Sequence, residues 1–123
     1  MTDVNPMARL RGAINSLDPA TIAACFTANY RCEIPMHPSR SFEGNAHVVD
    51  NWTQILDRTP QLKAEVLRFH AGELTWSEWE IKGTNTDGSP ALIRGCVICT
   101  FRDGLIDWTR FYLDPVTDDH KDG

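Results

Sequence analysis

Basic charge is scarce in this chain. Twelve Lys and Arg stand against seventeen Asp and Glu, which leaves a net charge of −5. The cations are scattered rather than clustered, so nothing offers the field that holds a phosphate backbone, and no nucleic-acid partner is expected. Long apolar runs are also missing. None reaches the roughly 20 residues of a membrane-spanning helix, and the N-terminus does not read as a charged-then-apolar leader. No membrane partner is expected, and the cytoplasm is the expected compartment. Repeats, low-complexity segments and Pro- or Gly-rich linkers are absent too, so residues 1–123 read as one domain, with 115–123 as a flexible tail.

Cysteines are present but poorly spaced for chemistry. Cys96 and Cys99 have CxxC spacing, yet they lie inside the strand-like run "ALIRGCVICTF". Residues three apart on a strand point to opposite faces, so the two thiols diverge. They read as small buried hydrophobes, and Cys25 and Cys32 lack a partner spacing altogether. No metal site and no cofactor is expected, and reduced thiols suit a reducing compartment.

What the chain does contain is a change of period. Asn5-Pro6 and Asp18-Pro19 are helix-start signals. The first precedes Met7, Leu10, Ile14 and Leu17 at helical spacing, and the second precedes Ile22, Cys25 and Phe26. Tyr30 to Ile34 reads as a strand ended by Pro35. A third helix starts at Gly44-Asn45, carries the stripe Val48, Val49, Trp52, Ile55 and Leu56, and stops at Pro60. Beyond it the period becomes 2. Strands are expected over Gln61–His70 (with a bulge near Val66-Leu67), Leu74–Lys82, Ala91–Arg102 and Leu105–Leu113. The loop "GTNTDGSP" and the hairpin signal Asp103-Gly104 separate the last three. The expected class is α+β: three helices on one face of a curved antiparallel sheet.

Several side chains suggest chemistry. His37 sits between Pro35 and Pro38, which stiffen the backbone around it and suit a rim position. A histidine there can take or give a proton near neutral pH. Nearby Arg40 could grip an anionic group; as plain alternatives, His37 is a corner residue and Arg40 a surface cation. Glu78 and Trp79 point to opposite faces of their strand. An inward Glu78 is a carboxylate fit for acid–base work, whereas an inward Trp79 is a stacking platform, and periodicity admits both.

The patterns "SLDPATIAACF", Phe42-x-Gly44, Trp79 with Gly83-Thr84, and Arg94-Gly95 followed by Arg102-Asp103-Gly104, Ile106, Trp108, Arg110, Tyr112 and Asp114-Pro115 are similar to a known family. They resemble the SnoaL-like branch of the nuclear transport factor 2-like superfamily, which includes polyketide cyclases, ketosteroid isomerase and epoxide hydrolases. The resemblance implies a cone-shaped, cystatin-like α+β fold around a pocket. It also implies cofactor-free cyclase, isomerase or hydratase/hydrolase-type chemistry on a small hydrophobic, oxygenated molecule. A non-catalytic ligand-binding or dimerisation module is the alternative. The isomerase's general base would fall at Ile34, its acidic oxyanion donor near Ile98 and its phenol near Leu10 or Arg11; none of these carries the required group. The epoxide hydrolase's aspartate would fall at Phe111.

With the family's strand parity, Thr109, Phe111 and Leu113 line the cone, joined by Cys96, Ile98, Thr100, Cys32, Ile34, Trp52 and Leu56. Arg40 stands at the rim and Trp79 is a further pocket candidate; His37 and Glu78 are the candidate proton carriers. Trp108, Arg110 and Tyr112 then share the other face. Residues of that kind favour interfaces, so a homodimer through the open sheet face is expected.

Overall fold

The computed structural model describes residues 5–117. The chain begins with helix α1, Ala8–Asn15, preceded by a turn in which the Asn5 side chain accepts the Met7 N–H at 2.9 Å. Leu10, Ala13 and Ile14 are its buried residues. Leu17 falls outside this stripe: it follows the helix with φ of 60° and is exposed. Helix α2, Pro19–Ala23, is capped as its sequence predicts. The Asp18 carboxylate accepts the Ala20 N–H, and the Thr21 hydroxyl donates to it at 2.7 Å. Strand β1 follows over Phe26–Glu33, four residues earlier than the apolar pattern places it.

A short 3-10 turn at Pro38–Arg40 leads into a two-residue strand, β2, Phe42–Glu43. Helix α3, Asn45–Arg58, starts at Gly44, whose φ of 92° suits a residue without a side chain. Strands β3 (Gln61–His70), β4 (Thr75–Thr84), β5 (Pro90–Arg102) and β6 (Leu105–Pro115) then run as an antiparallel meander. The Asp103-Gly104 hairpin turn has both residues at positive φ, 53° and 83°. The β3 bulge falls between Val66 and Arg68. Strand β6 continues two residues past the expected Leu113, through Asp114 and Pro115, and most of the expected tail, residues 118–123, lies outside the described residues.

The expectation of a cone-shaped antiparallel sheet needs correction. The six strands lie in the order β2-β1-β6-β5-β4-β3, an open sheet that does not close or curl into a cone. It is mixed, because β1 pairs with β6 in parallel, through Cys32↔Thr109 and Glu33↔Arg110. A four-strand meander read from local alternation misses both features. The β1–β6 pairing joins residues 77 to 80 positions apart, and β2 is too short to show a period.

The helices cover one face of the sheet. The core between the layers contains Leu10, Ile14, Ile22, Tyr30, Trp79, Val97 and Cys99, all buried. Helix α1 is tied to edge strand β3 by one side chain: Asn15 accepts the Ala64 N–H at 2.7 Å and donates to the Ala64 carbonyl at 3.0 Å. Gly95, with φ of 148°, brings β5 so close to β6 that a side chain there would collide with the Tyr112 carbonyl oxygen at 1.9 Å. Among the described residues no helix is long and apolar enough to cross a membrane.

Candidate functional site

Two helices and four strands border a small, partly open apolar cavity of about 40 Å³. Leu10 and Ile14 of α1 and Trp52 of α3 form its roof. Phe26 of β1, Trp79 and Ile81 of β4, Val97 of β5 and Phe111 and Leu113 of β6 form its floor. The floor follows from pairing. Val97 lies opposite Phe111 on β6, and Leu113 and Trp79 flank Gly95, so alternate residues of three strands meet on the helix side. At this volume the cavity has room for a few water molecules, so a larger guest must displace part of the wall.

The roof is unevenly secured. Of α3's apolar stripe only Val48 is buried; Val49, Trp52, Ile55 and Leu56 are half-buried. The helix is held at its ends. The Asn45 side chain donates to the Phe26 carbonyl, the Thr86 N–H donates to the Arg58 carbonyl at 2.9 Å, and the Thr59 hydroxyl bonds the Asn85 side chain.

Polar groups near the floor are already paired. Trp79 Nε1 donates to Ser77 Oγ at 2.7 Å, and the Ser77 hydroxyl donates to the Val97 carbonyl at 3.3 Å; both residues are fully buried. Further along the same face, the Tyr30 hydroxyl and Thr109 Oγ1 share a short hydrogen bond beside Cys32. Burial pushes the Tyr30 phenol and the Cys32 thiol upward, so both stay protonated. The Cys99 thiol, fully buried against Met7 Sδ at 3.7 Å, is pushed up to about 12 by burial and by the Asp107 charge.

The residues singled out in the sequence divide between the two faces. Trp52, Trp79, Phe111 and Leu113 stand together on the cavity wall. Cys32 and Thr109 lie on the same face but in the Tyr30 cluster. Ile34 packs partly buried against the core, Leu56 is half-buried off the wall, and Arg40 is exposed in the 3-10 turn. Cys96, Ile98 and Thr100 require a correction. They pair with Tyr112, Arg110 and Trp108 and share the uncovered face with them, so Val97 and Cys99 are the inward residues of β5.

Both candidate proton carriers also lie away from the cavity. Glu78 shares the uncovered face with Cys96 and pairs with Arg68 at 2.9 Å. His37 Nε2 meets Asp114 Oδ1 at 2.9 Å, and Asp114 stands opposite Arg94 on that same face. Around them Glu33 takes the Trp108 indole N–H at 3.0 Å and lies 3.7 Å from Arg110. Arg94 bonds Glu80 at 2.9 Å, and that hydrogen bond holds the Glu80 carboxyl below its ordinary value. Among the described residues no three His, Cys, Asp or Glu side chains converge as metal ligands.

Sequence reasoning missed Leu10, Ile14, Phe26, Ile81 and Val97 as wall residues. The helical spacing of Leu10 and Ile14 marks a buried stripe without saying that it borders a void. For Val97 a signal existed: charged Arg94 shares parity with Cys96, Ile98 and Thr100, which points that set outward.

A model of the SnoaL-like domain matches residues 7–108. No curated protein matches the chain in sequence. Among solved structures, the chain is similar to a protein with a ketosteroid isomerase-like fold from Catenulispora acidiphila, solved in complex with trimethylamine. That pair has a TM-score of 0.78 and 12% identity, with 90% of this chain and 87% of that one covered. An NTF2-like protein of unknown function from Burkholderia pseudomallei aligns with a TM-score of 0.74 at 15% identity, covering 89% and 88%. IdmH, a candidate polyketide cyclase from Streptomyces antibioticus, aligns with a TM-score of 0.74 at 20% identity, covering 89% of each chain.

Proposed function

The chain belongs to the SnoaL-like domain family, and on that premise we propose that it binds a small hydrophobic molecule in the cavity between α1, α3 and the sheet. The observation that carries this reading is the wall itself: nine apolar side chains around a residual void, beneath a helix whose middle is only half-buried. Proteins close voids where they can, and a void left under a loosely covered roof is where a guest gains most by burial. The fold neighbours support the reading by their kind, since one was solved with a small amine and another is described as a candidate cyclase.

Binding is favoured over turnover. No wall residue titrates, and His37 and Glu78 are already paired on the far side of the sheet. Cyclase, isomerase or hydratase chemistry would therefore need its proton carrier from outside the cavity wall. The test is thermal stabilisation by neutral apolar compounds, compared across variants. A ligand at a hundred times its Kd adds about 2.7 kcal/mol to the folded state. Leu113→Trp, which fills the cavity from a half-buried position, is expected to abolish that shift; His37→Ala and Glu78→Gln are expected to keep it. A shift that survives Leu113→Trp would place binding elsewhere and defeat the reading.

Assembly and compartment complete the proposal. Half-exposed Trp108 and exposed Arg110 and Tyr112 on the uncovered face support a homodimer. A monomeric mass by sedimentation at micromolar concentration would contradict it. The four free cysteines support the cytoplasm, which fractionation of expressing cells would test.

A further inference from the structure

The cavity wall says what kind of guest it can accept. Its side chains own only two polar atoms, the indole nitrogens of Trp52 and Trp79. That of Trp79 is committed to Ser77, and the Ser77 hydroxyl is committed to the Val97 carbonyl. No side chain on the wall can accept a hydrogen bond, and none carries a charge. Glu78, Glu80, Arg94, Arg110 and Asp114 belong to the same three strands, but all project from the opposite face. A charged guest would lose its hydration and gain no partner, a cost that excludes it. Four of the nine wall residues are aromatic: Phe26, Trp52, Trp79 and Phe111. Their faces and edges reward a flat ring over a saturated one of equal size.

We propose that the cavity selects uncharged aromatic molecules, with planarity and neutrality as its two criteria. The proposal rests on the cavity being the binding site, as argued above, and adds the class of ligand. Trp52 acts as the adjustable wall: it is the only aromatic of the four on a helix, and it sits at the half-buried middle of α3.

The placement of the four tryptophans supplies the readout. Trp52 and Trp79 border the cavity, whereas Trp76 and Trp108 lie on the other face. Titration of the whole chain, followed by the assigned indole N–H resonances, therefore reports which face a probe occupies. The probes are toluene, benzoate, benzylammonium and methylcyclohexane, matched in size. Toluene is expected to move the Trp52 and Trp79 signals saturably and leave Trp76 and Trp108 in place. The two ions are expected to bind about 100-fold more weakly or worse, and methylcyclohexane about threefold to tenfold more weakly. Benzoate or benzylammonium binding within tenfold of toluene through the Trp52 and Trp79 signals would overturn neutrality and leave the binding site standing. Methylcyclohexane binding as tightly as toluene would overturn planarity. If no probe moves those two signals, the cavity is not the site, and both readings fail together.

Discussion

On the helix side of β4, β5 and β6, Trp79, Val97 and Phe111 surround a void without a charge. One residue away along each strand, on the opposite side, Glu78, Cys96 and Tyr112 stand among Arg68, Arg94, Arg110 and Asp114. Both faces are written in the same three segments by alternation alone. One has the room and the other has the charged groups. The charged side chains are matched across the strands, Glu78 with Arg68, Glu80 with Arg94 and Glu33 with Arg110. The helix side is roofed and carries no charge, and its few polar groups, Ser77, Tyr30 and Thr109, are paired with one another or with the backbone. In this SnoaL-like chain the charged side chains of β4, β5 and β6 and the cavity thus lie on opposite sides of the backbone.

Four measurements break or sharpen that contrast. The largest effect is expected from the CxxC thiols, three residues apart and on opposite faces. Cys99 at about 12 is fully buried, while Cys96 is half-buried on the uncovered face. Modification at pH 8 is expected to favour Cys96 by roughly a hundredfold or more, because Cys99 is fully buried and its thiol is held protonated. Equal labelling rates in mass spectrometry would contradict the assigned strand parity. Next, Trp79→Ala removes a fully buried indole and is expected to cost about 4 kcal/mol in urea unfolding. A loss below about 1 kcal/mol would mean that Trp79 is not in the core. Ser77→Ala leaves the Trp79 N–H buried without a partner, and about 2 kcal/mol should be lost; an unchanged midpoint would remove that hydrogen bond from the account.

The smallest effect belongs to the outer face and depends on pH. The Arg94 hydrogen bond lowers the folded-state pKa of Glu80. The resulting stabilisation is fully present above the ordinary carboxylate pKa of roughly 4.3 and is lost as pH falls through the lower folded value. Glu80→Gln is therefore expected to be slightly less stable than the parent at pH 7 and to converge with it in acid. A gap that widens on acidification would reverse the sign and refute the pairing.

Much of this architecture can be read from residue order because local signals agree. Asp18-Pro19 caps a helix, Asp103-Gly104 turns a hairpin, and polar and apolar residues alternate along β4 and β6. Strand β5 resists such reading because both of its parities are apolar between Gly95 and Phe101, and only Arg94 marks the outer one. The parallel seam of β1 and β6, the His37–Asp114 pair and the Ala64–Asn15 bracket join residues 49 to 80 positions apart. No periodicity encodes partners at that distance. The absence of a cone is of the same kind: curl is a property of the whole sheet and not of any strand's pattern.

The Asn15 amide bears on how the protein behaves in a crowded solution. A sheet that ends in an open rim can recruit a stranger's backbone, and ordered growth by that route produces fibres. By imitating a peptide unit at Ala64, Asn15 occupies a coupling point that an incoming chain would need, so the fold carries its own terminator midway along that rim.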